Sequence, residues 1–169
     1  MNMTRRYLLG AGVVSILAAT IKGVTGMEDA IANTKITPLK RSEEEWKKIL
    51  TKEQFHVLRK EGTERSFTSA LNDEKRKGVY HCAGCELALF SSETKFDSGT
   101  GWPSFYDHLT GAFETKTDYW IGYPRTEYHC ARCGGHHGHV FKDGPPPTGL
   151  RYCNNGVALT FKPASDENA

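Results

Sequence analysis

Two Cys-x-x-Cys pairs constrain the fold of this chain more than any other feature of its sequence. The pairs lie in two near-identical segments, 80–85 and 128–133, which read YHCAGC and YHCARC. Each segment brings two thiols together in a tight turn, and two such turns complete a tetrahedral set of thiolates that suits Zn²⁺. The predicted ligands are Cys82, Cys85, Cys130 and Cys133. Because the protein supplies all four ligands, we expect one structural zinc ion that contributes folding free energy and joins two distant hairpins.

Two other uses of the paired cysteines compete with the metal. Two disulfides would suit an exported protein, and a redox Cys-x-x-Cys motif is the second alternative. The redox motif normally begins a helix in a thioredoxin-like βαβ pattern, which this sequence lacks. The count of five cysteines argues against a complete disulfide framework. We therefore favour the metal.

Residues 65–163 have the pattern of a β domain. Short β-prone runs alternate with turn residues, without a long amphipathic helix or a βαβ alternation. The pattern predicts a mainly β fold of two antiparallel sheets arranged as a barrel-like sandwich. The predicted strands are 79–81, 87–90, 119–123, 127–129, 140–141 and 156–161. Residues 164–169 form a polar tail that has no apolar reason to be ordered.

Residues 33–64 precede this domain and have the pattern of a helical arm. Two capping boxes, starting at Ser42 and Thr51, predict two short helices, and Gly62 is placed to end the second. Their predicted apolar faces comprise Trp46, Ile49, Leu50, Phe55 and Leu58. A partner-binding role would use the same faces, but we favour packing of both helices against the β domain.

Residues 1–32 resemble an export signal. Arg5 and Arg6 precede a short apolar stretch rich in Gly and Ala, and residues 30–32, AIA, offer a small-residue cleavage site. The arginine pair favours twin-arginine export, with an ordinary secretory signal and an uncleaved anchor as alternatives. We expect an exported, periplasmic protein, or a membrane-tethered one if the signal is retained. A twin-arginine route would carry the folded protein with its metal already bound.

The composition excludes several classes of function. The 22 basic and 20 acidic residues give a formal net charge of +2, and no basic block is present for nucleic acid. The only apolar run is the short one in the leader, so we expect no membrane segment beyond it. The hydrophobic content of 38% is sufficient for a folded core.

Cys153 is the one cysteine outside the two pairs, and it is the candidate nucleophile. If residues 149–155 form a strand, Arg151, Cys153 and Asn155 project from one face, because side chains alternate along a strand. A guanidinium beside a thiol favours the thiolate, which is the nucleophilic form. A buried, inert cysteine is the alternative.

A histidine cluster extends this candidate site. His136, His137 and His139 are suited to moving protons near neutral pH, and Asp143 follows them. On a regular strand His136 and His139 face opposite sides, so they converge only if Gly138 introduces a bulge or a turn. A second metal site is disfavoured, because no carboxylate spacing completes it.

Residues 101–105, GWPSF, form an aromatic loop. Trp102 there can make a small aromatic wall for an apolar group such as a methyl. A hydrophobic plug is the alternative, since a buried tryptophan usually belongs to a core.

Taken in order, these motifs resemble the B-type peptide methionine sulfoxide reductases, which are specific for the R epimer of methionine sulfoxide. The resemblance covers about residues 42–162, and the leader lies outside it. It rests on both Cys-x-x-Cys pairs, the GWPSF loop, the histidine cluster at 136–139, the segment 140–149 (VFKDGPPPTG) and the segment 151–155 (RYCNN).

The resemblance implies two antiparallel sheets with flanking N-terminal helices and a reaction at Cys153. The Cys153 thiolate would attack the sulfoxide sulfur, methionine would leave, and Cys153 would become a sulfenic acid. Trp102 and Phe141 would form the pocket for the ε-methyl group. His136 and His139 would bind or protonate the sulfoxide oxygen. Arg151 and Asp143 would balance the charge of the site, and Asn155 would orient groups near the sulfur.

The chain departs from the family pattern at two positions. Many members have a resolving cysteine where this chain has Thr100, and His137 stands where leucine is common. Since four cysteines are committed to zinc, we predict a one-cysteine cycle in which an external, thioredoxin-like thiol reduces Cys153. The expected substrates are proteins or peptides that contain methionine sulfoxide, and we expect a monomer.

A different class of function is the alternative. A zinc-stapled β module could bind a protein partner without performing any chemistry. A zinc hydrolase is less favoured, because the inferred metal has no vacant coordination position.

Overall fold

Two short helices begin at the capping residues that the sequence identifies. The computed structural model describes residues 36–119 and 122–164. Helix α1 spans Glu43–Ile49 and helix α2 spans Lys52–Lys60. Ser42 and Thr51 each accept a hydrogen bond from the third helical residue, whose side chain bonds back to the cap backbone. Both predicted capping boxes are confirmed.

The described ranges contain nine strands in two antiparallel sheets, as predicted. The strands are β1 (Gly78–Cys82), β2 (Ala88–Ser91), β3 (Lys95–Phe96), β4 (Ser104–Phe105), β5 (Phe113–Asp118), β6 (Arg125–Cys130), β7 (His136–Phe141), β8 (Arg151–Asn154) and β9 (Leu159–Pro163). The smaller sheet has the order β2-β1-β9 and the larger has the order β3-β4-β8-β7-β6-β5. Neither sheet closes on itself, so the arrangement is an open pair of sheets and not a barrel.

Aromatic rings from both sheets form the core. Phe90 of β2 stacks on Phe105 of β4 with 4.0 Å between ring centroids, and Tyr80 of β1 meets Phe105 edge-on at 5.0 Å. Tyr128 of β6 and Tyr152 of β8 pack edge-on at 5.4 Å. Edge-on arrangements such as Tyr80–Phe105 and Tyr128–Tyr152 stabilise aromatic pairs beyond their burial alone. The core therefore supports the central strands β7 and β8 from one side, and these strands carry the candidate site residues.

The two helices pack on the β domain, as expected. Trp46 and Leu58 are buried and lie against Gly84 in the first cysteine turn. Ile49, in contrast, is 50% exposed, so its predicted place on the buried face is wrong. Helix α2 ends at Lys60, and Glu61, not Gly62, adopts the left-handed conformation after it, with φ of 55°.

Two predicted strands need correction. The predicted run 119–123 begins after β5 has ended, and its described residues form a turn in which the Gly122 N–H donates to the Tyr119 carbonyl at 3.0 Å. Residues 120 and 121 lie outside the described residues. The predicted run 156–161 is a 3₁₀ helix, Gly156–Ala158, followed by β9. The remaining predicted runs overlap β1, β2, β6 and β7.

Several predictions about the ends of the chain lie outside the described residues. They concern the export signal at 1–32, the first residues of the arm and all but the first residue of the polar tail at 164–169. Within 36–119 and 122–164, no helix has the length and apolar character needed to span a bilayer.

Candidate active site and metal centre

Cys153 lies in a cleft beside four other predicted site residues. It is the third residue of β8, paired on one side with Ser104 of β4 and on the other with His139 of β7. The cleft has a volume of about 130 Å³, and Cys153 is partly exposed in it. It is lined by Thr63, Trp102, Arg125, Gly138, His139, Phe141, Cys153, Asn154 and Asn155. The structure therefore brings the predicted nucleophile together with Trp102, Phe141, His139 and Asn155.

Arg151 holds a fixed position two residues before Cys153. Its guanidinium donates two hydrogen bonds to the Asp143 carboxylate, each at 2.9 Å. It also lies over the Phe141 ring at 4.4 Å from the centroid, and only 8% of Arg151 is exposed. A bidentate, stacked arginine of this kind has little freedom to move. Asp143 therefore acts on Cys153 through Arg151, and its own pKa is lowered by the hydrogen bond from Arg151.

The ionisation of Cys153 differs from the sequence-based expectation. Burial raises the pKa of the Cys153 thiol, while the charge of Arg151 and hydrogen bonds from Thr100 and Arg151 lower it. The net direction is upward, so burial outweighs the arginine. Arg151 favours the thiolate, as expected, but burial of Cys153 opposes it more strongly.

Thr100 connects Cys153 to a chain of hydroxyl groups. Ser98 Oγ lies 2.8 Å from Thr100 Oγ1 and 2.7 Å from Ser104 Oγ. Ser104 Oγ donates its proton to the Trp102 carbonyl at 3.1 Å. A hydrogen bond with the Thr100 side chain lowers the pKa of the Cys153 thiol. Thr100, the position predicted to lack a resolving thiol, therefore supplies a hydrogen bond to the Cys153 sulfur.

A β-bulge brings His136 and His139 to the same side of β7. Strand β6 pairs with β7 so that Tyr128 opposes Gly138 and His129 opposes His136, which leaves His137 as the extra residue. The His136 and His139 rings then lie 5.5 Å apart. The two histidines converge through a bulge, but the inserted residue is His137 and not Gly138.

Each of these histidines contacts a carboxylate that the sequence analysis missed. His136 Nδ1 lies 2.6 Å from Glu127 Oε1, and His139 Nε2 lies 2.7 Å from Asp118 Oδ2. Burial alone raises the pKa of Glu127, but its hydrogen bond with His136 and the nearby Lys116 lower it overall. For His139, burial lowers the pKa despite the contact with Asp118. At neutral pH His139 is therefore an uncharged imidazole held by a carboxylate.

Two predicted site residues, His136 and Asn155, lie in positions other than those expected. His136 does not line the cleft of Cys153; it lines the neighbouring pocket, which it shares with His139 and Glu127. Strand β8 ends at Asn154, so Asn155 lies beyond the strand that was expected to place it beside Cys153. The Asn155 amide donates to the His137 carbonyl at 2.8 Å, which makes its contacts structural ones along the cleft wall.

Glu64 is a residue at this site that the sequence reasoning did not find. Its carbonyl accepts from Trp102 Nε1 at 2.9 Å, and its N–H donates to Asn155 Oδ1 at 2.8 Å. Its carboxylate accepts from the Gly156 N–H at 2.6 Å and the Val157 N–H at 3.3 Å. One residue of the arm thus holds both Trp102 and Asn155 in the wall of the cleft. No local sequence signal marks it, because all of these contacts join segments distant in sequence.

The four paired cysteines form a buried cluster between the two sheets. Cys82 ends β1 of the smaller sheet, and Cys130 ends β6 of the larger one. All four sulfurs lie within 4.8 Å of one another, with Cys82 Sγ 3.7 Å from Cys133 Sγ and Cys85 Sγ 3.5 Å from Cys130 Sγ. These separations exceed a disulfide bond of about 2.05 Å and match the roughly 3.8 Å between sulfurs around a tetrahedral ion with 2.3 Å bonds.

The chemistry of the cluster fits a metal ion. Hydrogen bonds among the thiols lower the pKa of Cys85 and Cys133 and raise the pKa of Cys82 and Cys130. Neighbouring thiols therefore favour ionisation of some members of the cluster, whereas ionisation of all four places like charges together. A cation removes this repulsion and allows four thiolates. The four cysteines suggest one structural metal that joins the two sheets.

Comparison with known proteins decides the family. The SelR domain family model matches residues 50–163, which include all five cysteines. The chain belongs to the SelR domain family. The SelR domain of this chain carries both the cysteine cluster and the residues that line the Cys153 cleft. The match begins at Leu50, between helices α1 and α2.

Three curated relatives of this SelR domain protein carry the same name, Peptide methionine sulfoxide reductase MsrB. The protein from Methanosarcina barkeri is 58% identical over 127 residues, covering 73% of this chain and 88% of the relative. The protein from Pseudomonas putida is 58% identical over 121 residues, covering 71% and 91%. The protein from Agrobacterium fabrum is 52% identical over 124 residues, covering 73% and 92%.

Proposed function

We propose that this protein reduces the R epimer of methionine sulfoxide in peptides and proteins to methionine, with Cys153 as the nucleophile. The observation that carries the proposal is the position of Cys153. It is the one cysteine outside the metal cluster, and it lies in a cleft between Trp102, Phe141 and His139. The names of the relatives support the same chemistry. The non-catalytic binding module is not favoured.

The cleft offers a place for each part of a methionine sulfoxide side chain. Trp102 and Phe141 supply apolar surface suited to the methyl group. The sulfoxide sulfur would lie against Cys153, and its oxygen would face the imidazole of His139. Trp102 is fixed by its hydrogen bond to Glu64, so this apolar wall is formed before substrate binds.

The proton balance follows from the Cys153–His139–Asp118 arrangement. Cys153 and His139 are directly paired residues on neighbouring strands, and such pairs have Cβ atoms about 4.5–5.5 Å apart. The neutral His139 accepts the thiol proton as the sulfur attacks, and the resulting imidazolium is stabilised by the Asp118 carboxylate. The imidazolium then gives this proton to the sulfoxide oxygen, which is a poor leaving group until it is protonated.

The reaction oxidises one sulfur and reduces the other by two electrons. A sulfur–sulfur bond forms between Cys153 and the substrate sulfur, and the protonated oxygen leaves the substrate sulfur as hydroxide. Hydroxide then attacks the Cys153 sulfur, the sulfur–sulfur bond breaks with its electron pair going to methionine, and Cys153 becomes a sulfenic acid. Arg151 and Thr100 stabilise the developing thiolate charge. An external thiol then condenses with the sulfenic acid and releases water, and a second thiol frees Cys153 as the reductant becomes a disulfide.

Zn²⁺ is the ion that we propose for the four-cysteine cluster. Four thiolates in a tetrahedral arrangement suit zinc, and closed sites of this kind are structural. When bound, the ion supplies a cross-link between the sheets and no coordination position for substrate. The protein groups that act on the substrate are all outside this cluster.

We also propose that the protein is exported, on the strength of Arg5-Arg6 and the apolar stretch after them. A twin-arginine route would deliver the folded domain with its metal in place. Replacing both arginines with lysine should retain the protein inside the cell, as measured by fractionation of the compartments. Unchanged export of this variant would contradict the twin-arginine route.

The activity is tested on separate R and S epimers of a sulfoxide-containing peptide, with dithiothreitol as reductant. We expect reduction of the R epimer only, and loss of that activity in Cys153→Ser. The control is that Cys153→Ser retains the metal content and melting temperature of the parent, because Cys153 lies outside the cluster. Reduction of the S epimer, or full activity of a folded Cys153→Ser variant, would contradict the proposal.

A further inference from the structure

The ring of His137 lies between the metal cluster and the active-site strand. The His137 side chain is fully buried, and its Nε2 lies 3.4 Å from Cys82 Sγ. Its Nδ1 has no hydrogen-bond partner in the part of the chain that the structure describes. The Phe113 ring meets it edge-on at 5.5 Å, so apolar surface covers another side. The Cys82 sulfur is therefore the hydrogen-bond partner of Nε2, and the Asn154 side chain also interacts with this buried imidazole.

The direction of the hydrogen bond follows from the chemistry of the sulfur. A metal-bound thiolate has lone pairs but no proton, so it can only accept. The ring therefore donates from Nε2. A buried polar side chain without such a partner is costly, whereas one bonded to a charged acceptor is favourable.

The backbone of His137 is fixed from the opposite direction. Its carbonyl accepts two hydrogen bonds from Asn155, one from the N–H at 2.9 Å and one from the side-chain amide at 2.8 Å. His137 is also the extra residue of the bulge that turns His136 and His139 to one side. The bulge is thus held by the metal cluster through the side chain and by the cleft wall through the backbone.

We propose that His137 is a positioning residue whose buried imidazole donates a hydrogen bond from Nε2 to the metal-bound thiolate of Cys82, and so ties the metal centre to the bulge carrying His136 and His139. A leucine at this position would fill the space but could not donate. The hydrogen bond withdraws charge from the thiolate and holds it in place, which slows the loss of the metal. This role of His137 requires the metal centre but does not depend on the proposed reaction.

The first test compares full-length parent, His137→Leu and His137→Gln, each loaded with zinc. The measured quantity is the rate of zinc transfer to a chromophoric chelator at fixed pH. Partners in the outer shell of metal sites typically alter metal affinity by about 10- to 100-fold, so we expect His137→Leu to release zinc about tenfold faster. His137→Gln retains an N–H donor and should release zinc more slowly than His137→Leu. Equal release rates in all three proteins would overturn the proposal.

A matched control is His81→Leu. His81 immediately precedes Cys82, but its ring contacts the Glu86 carbonyl at 3.0 Å. Loss of this imidazole should leave zinc release within about twofold of the parent, since removal of one weak exposed contact has little effect on stability. If His81→Leu accelerates release as much as His137→Leu does, the effect is not specific to the contact with Cys82.

A spectroscopic test does not depend on metal release. In the cobalt-substituted proteins, the sulfur-to-cobalt charge-transfer band should move to lower energy in His137→Leu, because the Cys82 thiolate becomes more electron-rich. In the cadmium-substituted parent with ¹⁵N-labelled histidine, Nε2 of His137 should carry a proton. An unprotonated Nε2 would overturn the proposal even if a variant fails to fold.

Discussion

Replacing Thr100 with valine tests how the nucleophile is activated. Valine retains the shape of threonine but lacks the hydroxyl group that lowers the pKa of Cys153. A hydrogen bond to a charged group contributes about 1.5–3 kcal/mol, and 1.36 kcal/mol corresponds to one pKa unit. The Cys153 pKa should therefore rise by about one to two units in Thr100→Val.

The expected loss of rate is smaller than the loss of thiolate. Below its pKa, the thiolate fraction falls tenfold for each unit of increase in pKa. A more basic thiolate is a better nucleophile, with a Brønsted coefficient of about 0.45, which recovers part of this loss. The net effect is about 3- to 12-fold slower oxidation of Cys153 at a fixed pH near 7.

The assay has two parts and a conservative control. Thiolate absorbance at 240 nm gives the pKa, with Cys153→Ser as the blank for the metal-bound thiolates. Single-turnover oxidation by the R epimer gives the rate. Thr100→Ser retains the hydroxyl and should behave like the parent in both measurements. If Thr100→Val and Thr100→Ser share the parent pKa, the hydroxyl chain does not act on Cys153.

Three further predictions follow from the same contacts. Because the Cys153 pKa is raised above its ordinary value, the single-turnover rate should still increase with pH above about 8.5, and Arg151→Gln should move this profile further upward; a plateau below pH 7 would contradict the direction. Glu64→Ala leaves two backbone N–H groups without their acceptor, which costs about 1–3 kcal/mol and lowers the melting temperature by about 2–10 °C, whereas Glu64→Gln should lose less. Removal of the metal by a chelator should lower the melting temperature and abolish single cooperative unfolding, as followed by circular dichroism with metal content measured in parallel; an unchanged melting curve would show that the cluster is not a structural centre.

Features encoded over a few residues could be predicted from the sequence. The capping boxes at Ser42 and Thr51 need only contacts three residues apart, so both helix starts were correct. The metal cluster was also predictable, because each Cys-x-x-Cys turn presents its two sulfurs locally. The need for a bulge to bring His136 and His139 together was also readable from the strand alternation, although the bulge falls at His137 and not at Gly138.

Features that depend on distant contacts were not predictable in this way. Strand β5 is an edge strand whose middle residues are exposed, so it has no alternation of apolar and polar residues to mark it. The carboxylate partners Asp118 and Glu127 reach the histidines only because β5, β6 and β7 are neighbours. The raised pKa of Cys153 depends on burial by the assembled cleft, which a neighbouring arginine in sequence does not reveal.

The most direct measurement is a single turnover with the R epimer in the absence of reductant, trapped with dimedone and analysed by peptide mass spectrometry. The account predicts one methionine formed per protein, one adduct on Cys153, and four unmodified cysteines in the metal cluster. A disulfide between Cys153 and a cluster cysteine, or methionine formed without any modification of Cys153, would contradict it.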